Sequence, residues 1–270
     1  MNRLARYLRR HQRVPGWLDP YSARFIVEIA RIQASHGIGG SVGEIGVHMG
    51  RLFILLKLLA APEERAIAID LFEDQQLNVD QSGGGDERMF RANLERWTGD
   101  ANVCVIQGSS IDVRSAQVIA QTGRCRLFSI DGGHTAHCTL NDLRIADDVV
   151  SDFGVAILDD YFNPSWPDVS TGASEFLRAS ETSLRPFAIT PNKLYLARPA
   201  AHSLYLSALS RTQGGYFEKT SCMFGRPVSI FGVEPRTWRS SARLKRWLKQ
   251  SAAGPPLMRT RQLLTRTAGQ

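Results

Sequence analysis

The sequence predicts a doubly wound α/β fold, in which helices cover both faces of a mostly parallel, seven-stranded sheet. Short runs rich in Val and Ile alternate with segments whose apolar residues recur at helical spacing, which is typical of a parallel sheet with crossover helices. With 270 residues, 43% of them hydrophobic, the chain is long enough to bury one large core. Its apolar runs are shorter than the roughly 18 residues that a membrane span needs.

Seven segments of the chain are predicted as strands. Five of them open successive strand–helix units: residues 41–47, 66–71, 103–107, 126–130 and 155–158. Two further strands are predicted near residues 193–197 and 228–231, joined by a hairpin-like return as the only antiparallel element. Helices are predicted over residues 21–35, 52–60, 87–97, 140–150 and 174–180. In such a sheet, ligands bind beyond the carboxyl ends of the strands.

The net charge of +7 is unevenly distributed along the chain. Residues 1–13 carry five arginines and residues 236–270 carry nine basic residues, and neither segment contains an acid. The rest of the chain therefore has 19 basic residues against 26 acids. An acidic body excludes a nucleic-acid-binding core, which would present basic groups. We expect a basic N-terminal arm (1–16), a main domain (17–234) and a basic amphipathic tail (235–270).

The two basic tails allow two interpretations. In the C-terminal tail, Leu244, Trp247 and Leu248 would share one helix face, opposite most of the basic side chains. Such a helix fits an anionic membrane surface, and it equally fits the acidic body of its own or a neighbouring chain, as in a homo-oligomer. The scattered cysteines and the absence of an apolar signal stretch predict a cytoplasmic protein, which the tails could bring to a membrane.

A glycine-rich turn follows the first predicted strand. Gly46 and Gly50 permit a tight turn and close approach of a ligand to the backbone. Glu44 stands within this motif, where it would repel the pyrophosphate of NAD or FAD but attract a sulfonium and an α-amino group. The pattern Glu44-x-Gly46-x-x-x-Gly50 resembles the S-adenosylmethionine (SAM) motif of class I methyltransferases, which have a Rossmann-like fold. The resemblance implies SAM as cofactor.

Two later strand ends complete the predicted donor site. Asp70 ends the second strand, where an acid can accept hydrogen bonds from both ribose hydroxyls; a surface acid that caps the next helix is the alternative. After the third strand, Ser109 and Ser110 are similar to the segment that contacts adenine in small-molecule O-methyltransferases, although Gly-Ser-Ser is also ordinary loop chemistry. Asp131, after the fourth strand, is assigned to the same site.

A carboxylate cluster is predicted where the fourth and fifth strands end. Asp131 follows the fourth strand, and Asp159 and Asp160 follow the fifth. If these strands are neighbours, the three carboxylates converge and repel one another unless a cation separates them. A hard divalent ion resolves this conflict, with Mg²⁺ preferred over Ca²⁺ or Mn²⁺. The alternative is that the acids cap separate helices and never meet.

His134 adds a candidate proton acceptor beside this cluster. A histidine three residues after Asp131 lies on the same side of the cleft, and its ordinary pKa near 6.5 suits proton transfer at neutral pH. The Asp-Gly-Gly-His segment together with Asp159-Asp160-Tyr161 resembles metal-dependent O-methyltransferases of the catechol and macrolide-sugar types, over about residues 17–234. The resemblance implies His134 and Asp131 as catalytic residues. His48 and His137 are interpreted as structural.

The expected reaction is methylation of a hydroxyl group on a sugar-like polyol or glycan. A cation would lower the pKa of the hydroxyl, His134 would accept its proton, and the alkoxide would attack the methyl group. Tyr161, Trp166 and Asp168 are predicted to contact the acceptor, because aromatic and polar side chains together suit a sugar. The segment 82–86 is either a lid or an ordinary connector.

Three alternatives stay open. The first is a metal-independent methyltransferase on another acceptor. The second is an oxidative enzyme, because some cephalosporin-hydroxylation proteins resemble the same fold and motif set. The third is a non-catalytic sugar- or membrane-binding module, against which the presence of Glu44, Asp70, Asp131 and His134 argues.

Overall fold

A single sheet of nine strands organises the computed structural model, which describes residues 2–100, 102–211 and 217–232. The strands are β1 (Ser41–Ile45), β2 (Ala66–Asp70), β3 (Cys104–Gln107), β4 (Cys125–Ile130), β5 (Val150–Leu158), β6 (Arg185–Ile189), β7 (Leu194–Ala197), β8 (Phe217–Met223) and β9 (Arg226–Phe231). The helices are α1 (Arg3–Leu8), α2 (Pro20–Ser35), α3 (Arg51–Leu59), α4 (Glu87–Thr98), α5 (Ser115–Thr122), α6 (Ala136–Val149), α7 (Pro167–Arg178) and α8 (Pro199–Arg211). Single 3₁₀ turns lie at His11–Arg13, Gln75–Leu77 and Ser110–Asp112.

The strand order across the sheet is β3-β2-β1-β4-β5-β7-β6-β9-β8. The first five strands pair in parallel, as predicted, and each is followed by a helix or a crossover connection. From β1 the chain runs outward through β2 to β3 and then returns to β4 on the other side of β1. The strand order therefore reverses between β1 and β4, and a crevice forms at such a switch point. The predicted Rossmann-like α/β class is confirmed.

The strand count and one pairing differ from the prediction. The described sheet has nine strands rather than seven, because β6 and β8 were not predicted. The predicted hairpin between the strands near residues 193–197 and 228–231 is wrong: β7 lies between β5 and β6, and β9 pairs with β6 and β8. β6 begins with Arg185-Pro186, which is typical of a loop, and β8 is an exposed, polar edge strand.

The sheet is buried on both faces, which explains its continuous Val and Ile runs. One face, with Val42, Ala68 and Ile157, packs against α2, α3 and α4. The opposite face, with Ile69, Phe128 and Leu158, packs against α6 and α7. The carboxyl ends of β1, β2, β4 and β5 are therefore held on a rigid, doubly covered scaffold.

The N-terminal arm packs against the body in the described structure. Tyr7 of α1 is fully buried, its hydroxyl donates to the carbonyl oxygen of Arg51, and its ring meets Trp97 edge-on with centroids 5.1 Å apart. Arg51 in turn donates to the carbonyl oxygen of Val14. The predicted amphipathic tail lies outside the described residues. Across the part of the chain that is described, no helix has both the length and the apolar character to cross a membrane.

Candidate active site

One cavity of about 570 Å³ opens at the carboxyl ends of β1, β2, β4 and β5, which is where ligands bind in sheets of this kind. Its volume is in the range of small-molecule and cofactor sites. Five of the predicted donor-site residues line it: Gly46, Asp70, Ser109, Ser110 and Asp131. Asp159, Asp160, His134 and Trp166 line the same cavity, so the structure brings the predicted donor and acceptor groups together.

The turn after β1 depends on its glycines. Gly46 has φ +81°, and a Cβ added to it would lie 1.7 Å from the carbonyl oxygen of Asp131. Asp131 donates its backbone N–H to Ile45, so the ends of β1 and β4 meet at this point. Gly50 has φ +92° and immediately precedes α3. A side chain at Gly46 would therefore separate the glycine-rich turn 46–50, called the donor turn below, from the strand end that carries Asp131.

Glu44 is a buried carboxylate beneath the donor turn. Burial, and next the charge of Asp131, raise its pKa well above the ordinary value. Its Oε2 has no hydrogen-bond partner among the described residues. Because buried polar atoms are nearly always paired, this oxygen fits a cationic ligand group such as an α-ammonium. Glu44 itself does not belong to the cavity lining as described, but Ile45 and Gly46 beside it do.

Asp70 and the serines after β3 form the wall opposite the acidic rim. Asp70 accepts the backbone N–H groups of His48 and Phe72, at 2.7 and 2.6 Å. Each carboxylate oxygen can accept a further bond, so ribose hydroxyls remain compatible with these contacts. Ser109 caps the following turn by accepting the N–H of Ile111, while the carbonyl oxygen of Ser110 accepts a bond from Asn141.

The acidic rim joins Asp131, His134 and Asp160, one ligand atom of each lying within 4.8 Å of the others. His134 Nε2 lies 3.1 Å from Asp160 Oδ2 and 3.8 Å from Asp131 Oδ1. Asp160 adopts a left-handed backbone conformation, with φ 57°, which is uncommon outside glycine and is found at functional sites. This turn directs successive acids to different partners.

Asp159 departs from the predicted three-carboxylate cluster. Its buried carboxylate forms an ion pair with Lys193, which is also buried, and accepts a hydrogen bond from Asn192. Burial alone lowers the pKa of Lys193, but the charges of Asp159 and Asp131 outweigh burial and raise it. The lysine therefore supplies a fixed positive charge where the sequence suggested a metal ion.

The charges of the rim determine the protonation of His134. Burial lowers its pKa, but contacts with Asp131, Asp160 and Asp80 outweigh burial and raise the pKa to about 10. For Asp160, burial raises the pKa, but hydrogen bonds from His134, Asn163 and Asn192 lower it to about 2. The acids around His134 therefore favour its protonated form, and His134 in turn favours the ionised form of Asp160.

The donor set of the rim fits a divalent cation. Two carboxylates from neighbouring strand ends are the oxygen ligands that Mg²⁺, Mn²⁺ or a similar ion accepts, and the imidazole of His134 lies beside them. The negative charge of Asp131 and Asp160 provides the electrostatic attraction; His134 contacts both carboxylates, and Lys193 interacts with the charge of Asp131. Asp159 is engaged by Lys193 and does not belong to this group.

Three residues whose side chains contact the predicted site residues do not stand out in the sequence: Asp80, Asn192 and Lys193. Asp80 lies in the connection between β2 and α4, and Asn192 and Lys193 lie between β6 and β7. They reach the site from loops, so the expectation that ligands bind at strand ends does not point to them. Asp, Asn and Lys are also ordinary loop residues, so their identity gives no signal. The glycines at 83–85 were the one signal that the first of these connections lies near the site.

The three residues predicted to contact the methyl acceptor differ in whether they line the cavity. Trp166 lines the cavity and stacks on His134, with ring centroids 4.4 Å apart and an interplanar angle of 17°. Asn163, from the same segment, also lines the cavity. Tyr161 is buried against Phe162, and Asp168 is exposed in the first turn of α7.

The sheet order, the glycine turn, the acid at the end of β2 and the shared cavity agree with the class I SAM-dependent methyltransferase fold that the sequence resembles. Consistent with this class, residues 44–161 match the model of a family described as a methyltransferase domain. This segment runs from Glu44 through the acidic rim to Tyr161, so it contains the donor turn and both predicted rim strands. No curated protein matches the chain in sequence.

Solved structures of methyltransferases share the fold. The O-methyltransferase NovP is 18% identical, with a TM-score of 0.53 over 66% of this chain and 80% of NovP. An O-methyltransferase from Bacillus cereus in complex with SAH is 15% identical, with a TM-score of 0.50 over 73% of this chain and 91% of its own. The SAH-bound Podospora anserina methyltransferase PaMTH1 is 10% identical, with a TM-score of 0.51 over 73% and 88%. At these identities the likeness establishes the fold alone.

Proposed function

We propose that the chain transfers a methyl group from SAM to a hydroxyl oxygen of a sugar-like polyol or glycan. The observation that carries this proposal is the acidic rim, Asp131, His134 and Asp160, in the same cavity as the donor turn. A binding site for the methyl donor alone would be compatible with any methyl acceptor. Groups that can bind a cation and accept a proton beside it favour oxygen, because a hydroxyl must lose its proton to become a strong nucleophile.

The donor would be held by the residues predicted for it. The unpaired oxygen of Glu44 suits the α-ammonium group of SAM. Asp70 suits the ribose hydroxyls, and Ser109 and Ser110 line the wall predicted for adenine. The glycines of the turn allow the backbone to approach the methionine part of SAM closely.

Asp131 and Asp160 would hold a divalent cation, with Mg²⁺ as the first candidate. Such an ion supplies polarisation of the acceptor oxygen and lowers the pKa of its hydroxyl. Asp159, which was predicted as a third ligand, instead fixes the hairpin between β6 and β7 through Lys193. His134 remains the proposed proton acceptor, because its Nε2 faces Asp131 and Asp160. A cation bound by these two carboxylates would compensate their charge, so they would no longer raise the pKa of His134.

Support for a sugar-like acceptor comes from the residues around His134. The indole of Trp166 provides an apolar face, and the amides of Asn163 and Asn192 line the cavity beside it. A sugar offers both an apolar ring face and hydroxyls to such a lining. Contacts from Tyr161 and Asp168 remain predictions, as do the cytoplasmic location and the membrane or protein contacts of the basic tails.

One observation favours a second candidate, metal-independent methyl transfer. The buried ammonium group of Lys193, which pairs with Asp159, also interacts with the charge of Asp131 at the rim. In that case Lys193 would compensate the acids, and the carboxylates would only orient the acceptor. Metal dependence of the rate separates the two candidates.

The test is methyl transfer from isotope-labelled SAM to a panel of glycosides and polyols, with labelled products located by mass spectrometry. We expect label on a hydroxyl oxygen, loss of turnover after exhaustive chelation, and recovery with Mg²⁺ or Mn²⁺. His134→Ala should abolish turnover while leaving SAM binding intact. Full turnover after chelation would select the metal-independent candidate, and label only on nitrogen or carbon would overturn the proposal.

A further inference from the structure

A buried carboxylate reaches His134 from the side opposite the acidic rim. Asp80 lies between β2 and α4, and 7% of its side chain is exposed. Its Oδ2 accepts the backbone N–H of His134 at 2.5 Å and lies 2.8 Å from Nδ1 of the same residue. One oxygen thus holds both the backbone and the ring of His134. His134 Nε2 is left facing Asp160 and Asp131.

The connection that carries Asp80 is itself ordered by local hydrogen bonds. Asp80 Oδ1 accepts the N–H of Ser82 at 2.8 Å, and Asn78 donates to the carbonyl oxygen of Ser82 at 2.8 Å. Burial raises the pKa of Asp80, but the hydrogen bonds from His134 and Ser82 outweigh burial and lower it, so the group is a carboxylate. An ionised acceptor makes a stronger bond to an imidazole N–H than a neutral one.

We propose that Asp80 is a positioning residue for His134, which keeps a proton on Nδ1 and presents Nε2 to the reacting hydroxyl. In a histidine base, the nitrogen bonded to a carboxylate keeps its proton and the opposite nitrogen becomes the working one. Trp166 stacks on the ring and restricts its tilt, but it cannot select between the two nitrogens. Only Asp80 makes this choice among the described contacts of Nδ1.

The same connection lies against the donor side of the cavity. A Cβ added to Gly85 would lie 2.7 Å from Asp70 Oδ1, and one added to Gly83 would lie 3.5 Å from the ring of His48. Segment 80–85 therefore spans from the proposed ribose acid to the proposed base. The sequence left this segment as either a lid or a connector. Its placement gives it a specific role, which is to hold His134 on the acceptor side of the cavity.

Nitrogen-15 NMR of the histidine side chains tests the proposal without any turnover. A Nδ1–H bonded to a buried carboxylate gives a downfield, slowly exchanging one-bond ¹H–¹⁵N signal, whether or not Nε2 is protonated. We expect this signal in the wild type, its absence in His134→Ala, and its loss in Asp80→Ala. It should persist in Asp80→Asn, whose amide oxygen can still accept the bond, and in Asp74→Asn, a control on the same connection.

Kinetics supply the second readout, which rests on the proposed function. Asp80→Ala should lower kcat by about ten- to 100-fold with little change in the KM for SAM, and Asp80→Asn should recover part of kcat. Asp74→Asn should match the wild type. A folded Asp80→Ala variant that keeps the downfield signal would overturn the positioning role. If the signal is lost but the wild type methylates no hydroxyl, the proposed function fails and the Asp80–His134 pair stands.

Discussion

Asp159 and Asp160 are adjacent in the sequence, yet the fold gives their carboxylates different partners. Asp159 is buried against Lys193, and Asp160 meets His134 at the cavity. The left-handed conformation of Asp160 ends the alternation of β5 and turns its side chain toward the rim. A pair of acids after a strand is therefore not by itself a pair of metal ligands.

The Lys193–Asp159 pair should be a strong determinant of stability. Lys193→Met leaves a buried carboxylate without its counter-ion, and we expect the free energy of unfolding to fall by about 3–5 kcal/mol. The double variant Lys193→Met with Asp159→Asn should recover much of this loss. Denaturant unfolding of the two single variants and the double variant measures the coupling; additive losses would contradict a direct pair.

Asp142 should make stability depend on pH. Its fully buried carboxylate lies beneath Gly132, and burial raises its pKa from 3.8 to about 6, against hydrogen bonds from Ser110 and Asn141. Because the folded state holds this proton more tightly than the unfolded state, the contribution of Asp142 to stability falls as the pH rises from about 4 to 6 and is then constant.

Asp142→Asn removes this loss. The variant should match the wild type near pH 4 and exceed it at pH 7.5 by up to about 3 kcal/mol, which is the pKa difference expressed as free energy. Urea unfolding at the two pH values measures the effect. Equal differences between variant and wild type at both pH values would show that Asp142 does not carry the proton.

At the scale of elements, the turn from β1 to α3 depends on one glycine. Gly46→Ala would place a Cβ 1.7 Å from the carbonyl oxygen of Asp131 and strain a backbone at φ +81°. We expect it to lower the free energy of unfolding by more than 2 kcal/mol and to abolish SAM binding. Gly84→Ala is the matched control, because no atom lies within 4 Å of its added Cβ. Similar melting temperatures for the two variants would contradict this role of Gly46.

Element prediction from the sequence succeeded where burial was uniform. β1 to β5 lie between two layers of helices, so their apolar runs stand out. β8 and β6 could not be recognised in this way, since β8 is an exposed edge strand and β6 contains Pro186, which pairs with Leu196 beside a register shift. Their pairing is decided by tertiary contacts rather than by local pattern.

Position at the cavity could be predicted for groups at strand ends but not for groups on loops. Asp70, Asp131 and Asp160 reach the cavity because parallel strands end at one edge of the sheet. Asp80 and Lys193 reach it through connections whose paths depend on the whole fold. The three-carboxylate cluster therefore became two carboxylates, a histidine and a separate ion pair.

For the molecule as a whole, the sheet order and the matched segment 44–161 both resemble a methyltransferase domain. The unpaired oxygen of Glu44, next to the cavity-lining Ile45 and Gly46, is a position that a cationic ligand group would satisfy. Glu44→Gln keeps the shape of the side chain and removes its charge. This variant therefore tests whether the charge of Glu44 contributes to binding of the methyl donor.

Calorimetric titration of the wild type and of Glu44→Gln with S-adenosylhomocysteine tests whether the cavity is a SAM site. We expect one site per chain in the wild type and at least about tenfold weaker binding in the variant, because a charge-assisted hydrogen bond contributes about 1.5–3 kcal/mol. The variant should be at least as stable as the wild type, since a buried charge is removed. A folded wild type that binds neither this ligand nor SAM, with or without Mg²⁺, would contradict the account.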